Sequence, residues 1–240
     1  NLVTMEWFTD VWMKEVFANF MAGKIVNPLF KSINHDLQFM TAHYPNAYGV
    51  DRTQGSNPIR QDLDNLENAG SLYGSIIYNK APIMMRQLEL ALGKDGFKEG
   101  IQSYIKQYSN SNSDWNGLVS ILDRKTDLDL KQWSDVWVNS TGRPVFSEQI
   151  TYDENQNISK FNLLQQAEDG TDKIWPQAFE IDLIYADHAR KIAVLSNSKS
   201  IELPKAIGLK KPKTILYNSN GFGYGVFPTN EKNLEISIAL

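Results

Sequence analysis

Cysteine is absent from the chain, which excludes disulfides, thiolate metal sites and a cysteine nucleophile within these residues. Histidine is scarce, with only His35, His43 and His188, so a metal centre built from this chain alone would be short of imidazole. Basic charge is not in excess: 24 lysines and arginines face 28 aspartates and glutamates, a formal net charge of -4. Such a surface has no field to draw phosphate backbones or anionic lipid, and neither nucleic acid nor a membrane is expected as a partner. No apolar run approaches the roughly 18 residues of a membrane span. Residues 1 to 25 do not read as a signal peptide, because Glu6, Asp10 and Glu15 interrupt them. Internal repeats and low-complexity tracts are missing as well.

What is present is apolar surface in quantity. Across 240 residues, 42% are hydrophobic, enough for one large core or two medium ones. Composition changes near residue 143. Before it, apolar residues recur at helical spacing; after it, strand-like runs are separated by turn residues. The fold class expected is α+β, a helical bundle over residues 1–143 followed by an antiparallel β-sandwich over 144–240.

In the first part, Thr9 is placed to cap a helix whose first turn gains Asp10. From Val11, Trp12 and Val16 through Phe17, Phe20 and Met21 the apolar residues cover nearly every side, the pattern of a buried helix. Gly23 and Pro28 mark its end. A second helix is expected from Leu29 to about His43, stopping at Pro45. Residues 46–74, rich in Asn, Asp and Gly, read as a long loop. Helical spacing resumes near Ser75 and runs to Gly93, and three shorter helices follow, two opening on Asp95 and Asp114 and the last closing on Gly142. In the second part, "RPVFSEQITYDENQNISKFNLLQQ" reads as a hairpin. Further strands are expected at "AFEIDLIYA", "RKIAVLS", "KSIELP", "KTILYN", "YGVFP" and "LEISIAL".

Two stretches invite a chemical reading. In "WMKEVFANFM" Glu15 sits among apolar helix neighbours, Val11, Trp12 and Ala18, with Asn19 the polar one. It is either a carboxylate at the rim of a buried face, reaching water or a lysine, or a buried one that needs a cation. In "GSLYGSIIYNKAPIMMRQLE" Tyr73 and Tyr78 fit ordinary core positions whose hydroxyls need partners. Pro82 soon afterwards suits the first turns of a helix and would put Tyr78 near its N-terminal end. His35 and His43 are not at the i, i+4 spacing of a metal pair and read as surface or satisfied core residues, as does His188 beside Asp187. Arg60 and Asp64 in the polar loop could shape a pocket, but read first as groups that satisfy the local backbone.

The wording of these stretches resembles one family. "NLVTMEWFTDVWMKEVFA" is similar to the segment that follows the zinc-binding HExxH motif in the aminopeptidase N family of gluzincins, with Val16 where the family has glycine. The resemblance implies that Glu15 is the third zinc ligand. "YNKA" is similar to the family's Tyr, any residue, Lys, Gly or Ala pattern, which implies that Tyr78 donates a hydrogen bond to the oxyanion of the tetrahedral intermediate. Residues 1–143 then correspond to the C-terminal half of a thermolysin-like catalytic domain, and the rest to the small β-sandwich that follows it in many members.

That resemblance carries further expectations. The parent protein is expected to be a zinc-dependent aminopeptidase that hydrolyses N-terminal residues from peptides by zinc-activated water, acting on substrates with a free N-terminus. The chain begins after HExxH, so it is expected to hold one zinc ligand of three, to lack the general base, and to be inactive alone. The acidic residue of the family's GxMEN motif, which binds the substrate amine, would also lie upstream. A second reading is a non-catalytic homologue acting as a binding or interaction module; an epoxide hydrolase ranks below both. Compartment and oligomeric state are not legible.

Overall fold

The computed structural model of the chain describes residues 2–63, 65, 67, 70 and 74–229. The chain divides into two compact units, Asn1–Gly142 and Arg143–Leu240. The first is largely helical and the second is built of antiparallel strands, an α+β protein.

The helical unit opens with β1 (Val3–Met5), which pairs in parallel with β2 (Ser111–Ser113). A 3-10 turn at Phe8–Asp10 leads into α1 (Trp12–Val26). Thr9 lies within that turn and caps nothing; Val11 holds the N-cap position without a side-chain bond. Only Trp12, Met13 and Val16 of α1 are buried, and Ile25 and Val26 are exposed. The helix packs on its neighbours through one face, so its all-round apolar composition overstates its burial.

α2 (His35–Asp51) starts where Asn34 accepts a hydrogen bond from the Leu37 amide at 3.0 Å. It passes through Pro45 instead of stopping there. Proline forfeits one backbone bond, and the burial of Tyr44 and Ala47 on either side holds the helix together across the gap.

A five-residue π-helical turn, Ile76–Lys80, precedes α3 (Ala81–Gln107). The first turns of α3 are buried all round, with Ala81, Ile83, Met84 and Met85 fully enclosed, and α1, α2 and α4 (Trp115–Leu122) pack against this helix. The backbone leaves helical geometry once, at Gly93, where φ is 72° and ψ is 160°. A side chain there would be strained, so the glycine permits the bend. Asp114 caps α4 by accepting from the Gly117 amide at 2.7 Å, and Asp129 caps α5 (Leu130–Trp137) by accepting from the Gln132 amide at 2.9 Å. Trp12 and Trp115 rings meet at 5.1 Å, and the Trp115 indole donates to Ser134 at 2.7 Å, tying α1, α4 and α5 together.

The second unit is two three-stranded antiparallel sheets. β3 (Pro144–Tyr152), β4 (Ile158–Ala167) and β7 (Ser200–Glu202) form one in the order β3-β4-β7. β5 (Gln177–Ile184), β6 (Ala189–Ser196) and β8 (Thr214–Tyr217) form the other in the order β6-β5-β8. The inward members of each alternation, among them Phe146, Phe161, Leu163, Phe179, Ile181 and Val194, make one core. The expected hairpin around residues 153–157 is β3-β4, with Asp153 accepting from the amides of Asn155 and Asn157. "YGVFP" forms no strand and contributes a single parallel bridge, Val145 to Val226. Tyr73, Asp64 and the run "LEISIAL" lie outside the described residues. Among the described residues no helix is long and apolar enough to cross a membrane.

Candidate functional site

Glu15 stands in the first turn of α1 between Trp12 and Val16, both buried. Its own side chain is 32% exposed and one carboxylate oxygen lies 3.8 Å from the Lys14 ammonium, itself 61% exposed. Solvent weakens such a pair. The carboxylate therefore sits at the rim of the buried face, fixed by the helix and open on one side. An oxygen donor in that position suits one place in a zinc ligand set. Among the described residues no three His, Asp or Glu side chains gather into a metal site, so those residues supply no complete set.

Tyr78 occupies the middle of the π turn. Ile76, Ile77 and Lys80 on the same turn are buried, while Tyr78 is 39% exposed. Its amide donates to the Gly74 carbonyl at 3.1 Å, and the Ala81 amide reaches back to Ile76, the wider spacing of a π-helix. The turn packs on both α1 and α2. The helix that carries Glu15 and the turn that carries Tyr78 are thus direct neighbours, although 63 residues separate the two in sequence (78 less 15).

Two anchors from α2 hold the turn. His43 Nδ1 lies 3.3 Å from the Asn79 side-chain oxygen, and the imidazole also bonds to the backbone at Tyr78. Burial holds this histidine below its ordinary value of 6.5, and the nearby Arg86 charge pulls the same way, against the two hydrogen bonds. The second anchor is Asp51, whose carboxylate meets the Lys80 ammonium at 2.7 Å with both side chains fully buried. Gly142 closes the figure: its amide donates to Asp51 at 3.0 Å and its carbonyl accepts from Lys80 at 3.0 Å. Gly142 has φ of 93°, a left-handed backbone that favours glycine. Ser56 also donates to Asp51, at 2.7 Å.

A cleft of about 650 Å³ opens among α1, α2 and the start of α3, lined by Asn19, Phe20, His35, Phe39, His43, Pro82 and Arg86 among others. Asn19 is four residues after Glu15 and Pro82 four after Tyr78 in the chain, and neither Glu15 nor Tyr78 itself lines the cleft. Arg86 lies over the Phe39 ring at 3.9 Å and donates to Asp36 at 2.9 Å; Lys24 pairs with Glu89 across the opening.

Sequence reasoning singled out Glu15 and Tyr78 and missed Asp51, Lys80 and the His43 to Asn79 contact. Lys80 did carry a signal, a lone charge between the apolar pair Ile76–Ile77 and the run from Ala81. Arg60 turns inward to the buried Asp10, with bonds of 2.8 and 3.2 Å, and its amide donates to the Val138 carbonyl at 3.0 Å. It fastens the 52–63 segment to the entry of α1. His35 bonds to the Phe30 carbonyl at 2.9 Å, and His188 stacks on Tyr185 in a turn of the second unit.

The sequence model of the Peptidase family M1 domain matches residues 1–137, and the chain belongs to that family. It is similar to an aminopeptidase N of Streptomyces lividans, 26% identical across 98% of this chain and 29% of that protein. It is also similar to aminopeptidase M1-B of Oryza sativa subsp. japonica, 32% identical across 60% of this chain and 16% of that protein. The puromycin-sensitive aminopeptidase of Caenorhabditis elegans is 30% identical across 66% of this chain and 17% of its own length. The chain spans less than a third of each of these relatives.

Proposed function

We propose that the whole protein is a zinc aminopeptidase that removes N-terminal residues from peptides with a free amino terminus, and that this chain supplies one metal ligand and one catalytic hydrogen-bond donor. The observation that carries the reading is the packing of the π turn bearing Tyr78 on the helix bearing Glu15. The π turn packs directly on that helix, and π-helical segments recur at functional sites.

In this reading Glu15 offers its carboxylate to zinc from a helix whose other face is locked into the core, which fixes the donor without sealing it off. Bound zinc supplies a Lewis acid for the scissile carbonyl and lowers the pKa of the attacking water. The Tyr78 hydroxyl donates to the oxygen that becomes negative as the tetrahedral intermediate forms. A phenol suits that task because it is a neutral donor that does not compete for the metal. The cleft among α1, α2 and the start of α3 gives a peptide room, with Phe20 and Phe39 offering apolar surface and Asn19 and Gln38 offering hydrogen bonds. The other two ligands and the general base come from elsewhere in the whole protein, and the 240-residue chain alone is inert. The relatives are aminopeptidases by name, which leaves the binding-module reading without an observation in its favour.

The test is hydrolysis of aminoacyl arylamides by the full-length protein, wild type beside Glu15→Ala, with and without a zinc chelator. Turnover that the chelator abolishes and that collapses in the variant is the expected result. A folded full-length protein inert across several aminoacyl groups, or full activity in Glu15→Ala, would sink the reading.

A further inference from the structure

The buried ion pair beside Tyr78 has no direct part in the chemistry proposed above, and among the described residues of the helical unit it is the most enclosed charged pair. Lys80 and Asp51 are both fully buried, 2.7 Å apart. Each also bonds to Gly142, at 3.0 Å, so three points distant in sequence are closed into a ring. Replacing such a pair with apolar side chains often costs a fold nothing, so burial alone does not account for it. Its location does. Lys80 is the last residue of the π turn, two places after Tyr78, and Asp51 is the last residue of α2. A π turn carries one residue more than the helix around it and relaxes to α geometry unless something over-determines it. Relaxation would rotate Tyr78 relative to α1.

We propose that Lys80 is a positioning residue: paired with Asp51 and bonded to Gly142, it holds the π turn in register so that Tyr78 stays presented beside α1. The role rests on the aminopeptidase reading for its catalytic meaning. A lysine suits it, since a single ammonium can reach a carboxylate and a carbonyl at once with tetrahedral donors. The ring also makes the position of Tyr78 depend on residue 142, where the helical unit ends. His43 on Asn79 provides the second hold on the same turn.

The experiment uses the full-length protein with Lys80→Met and Asp51→Asn, each alone and combined with Tyr78→Phe. Asp51→Asn keeps the acceptor for Ser56 and Gly142 and loses the charge, and it serves if Lys80→Met fails to fold. Both variants are expected to lower kcat about tenfold to hundredfold, the scale of a displaced catalytic group. KM should stay within roughly threefold, because Tyr78 acts on the transition state. In the Tyr78→Phe background neither should lower kcat further. Unchanged kcat in a folded variant, or a loss that adds in full to that of Tyr78→Phe, overturns the proposal.

A second readout is independent of activity. With 3-fluorotyrosine at position 78, the fluorine resonance should shift or broaden in Lys80→Met and Asp51→Asn; an unaltered line overturns the positioning role. If the wild-type protein hydrolyses nothing, the proposed activity fails by itself, and the fluorine line still decides on Lys80.

Discussion

In the proposed reading Tyr78 and Arg60 make opposite kinds of contribution, and single substitutions separate them. Tyr78→Phe removes one hydroxyl from a side chain already 39% exposed, so the fold should keep its melting temperature. In the full-length protein kcat should fall roughly 10²–10³-fold with KM little changed, the signature of a lost oxyanion donor. Steady-state kinetics on an aminoacyl arylamide reads this; an unchanged kcat, or a loss that tracks a lowered melting temperature, would refute it. Arg60→Ala should do the reverse. It strips the guanidinium from Asp10, whose side chain is 3% exposed, and leaves an uncompensated buried carboxylate. The cost is about 3 kcal/mol, or roughly 6–12 °C in the melting temperature of the helical unit. Calorimetry of the variant checks it, and a melt within 2 °C or so of wild type would show that water or another cation takes over the role.

Among the elements, α2 does the most to define the site, and it is the one the sequence misplaces most. Its expected end at Pro45 is overrun by six residues, to Asp51, and those six include the acid that reaches Lys80. The loss of one backbone bond is visible in the sequence; the burial of Tyr44 and Ala47 that outweighs it is not. The π turn is hidden for a related reason, because hydrophobic periodicity averages over several turns and cannot register one extra residue. By contrast the β3-β4 hairpin, the cap at Asp114 and the change of class near residue 143 are local signals and were legible, whereas Asp95, expected to open a helix, lies inside α3. Glu15 and Tyr78 are singled out only through their neighbours' wording and remain proposals, while Asp51 and Lys80 meet across 29 residues (80 less 51), a pairing no local pattern records. α2 also carries a pH dependence. Because burial holds His43 below 6.5, the unfolded chain takes up a proton at higher pH than the folded one. The stability this residue contributes is complete above the unfolded value and is lost as pH falls through the folded one. Thermal melts between pH 7.5 and 5 should show a decline that His43→Gln reduces; parallel profiles for the two proteins would refute the assignment.

At the scale of the whole molecule, each unit carries its own core. The strands of the second unit close on one another through Phe146, Phe161, Phe179 and their neighbours, and Arg143 is held within that unit by two bonds to Glu168, at 2.6 and 2.9 Å. Residues 143–240 expressed alone should therefore fold, giving dispersed amide resonances and a cooperative melt; a molten spectrum would mean that the core is incomplete without the helices. The helical unit has no such local economy. Its first strand, β1, finds its partner only at residues 111–113, so that Thr4 bonds to Asn112 across 108 residues. Contacts this far apart in sequence slow the closing of a fold. During synthesis at about 5–20 residues per second, β1 waits on the order of 5–20 s after leaving the ribosome for its partner to be made. Over that interval the start of α1, with Glu15 on it, lacks both the strand pairing that will finally hold its entrance and the Trp115 ring its buried face packs on, and a holding chaperone would meet that apolar face exposed.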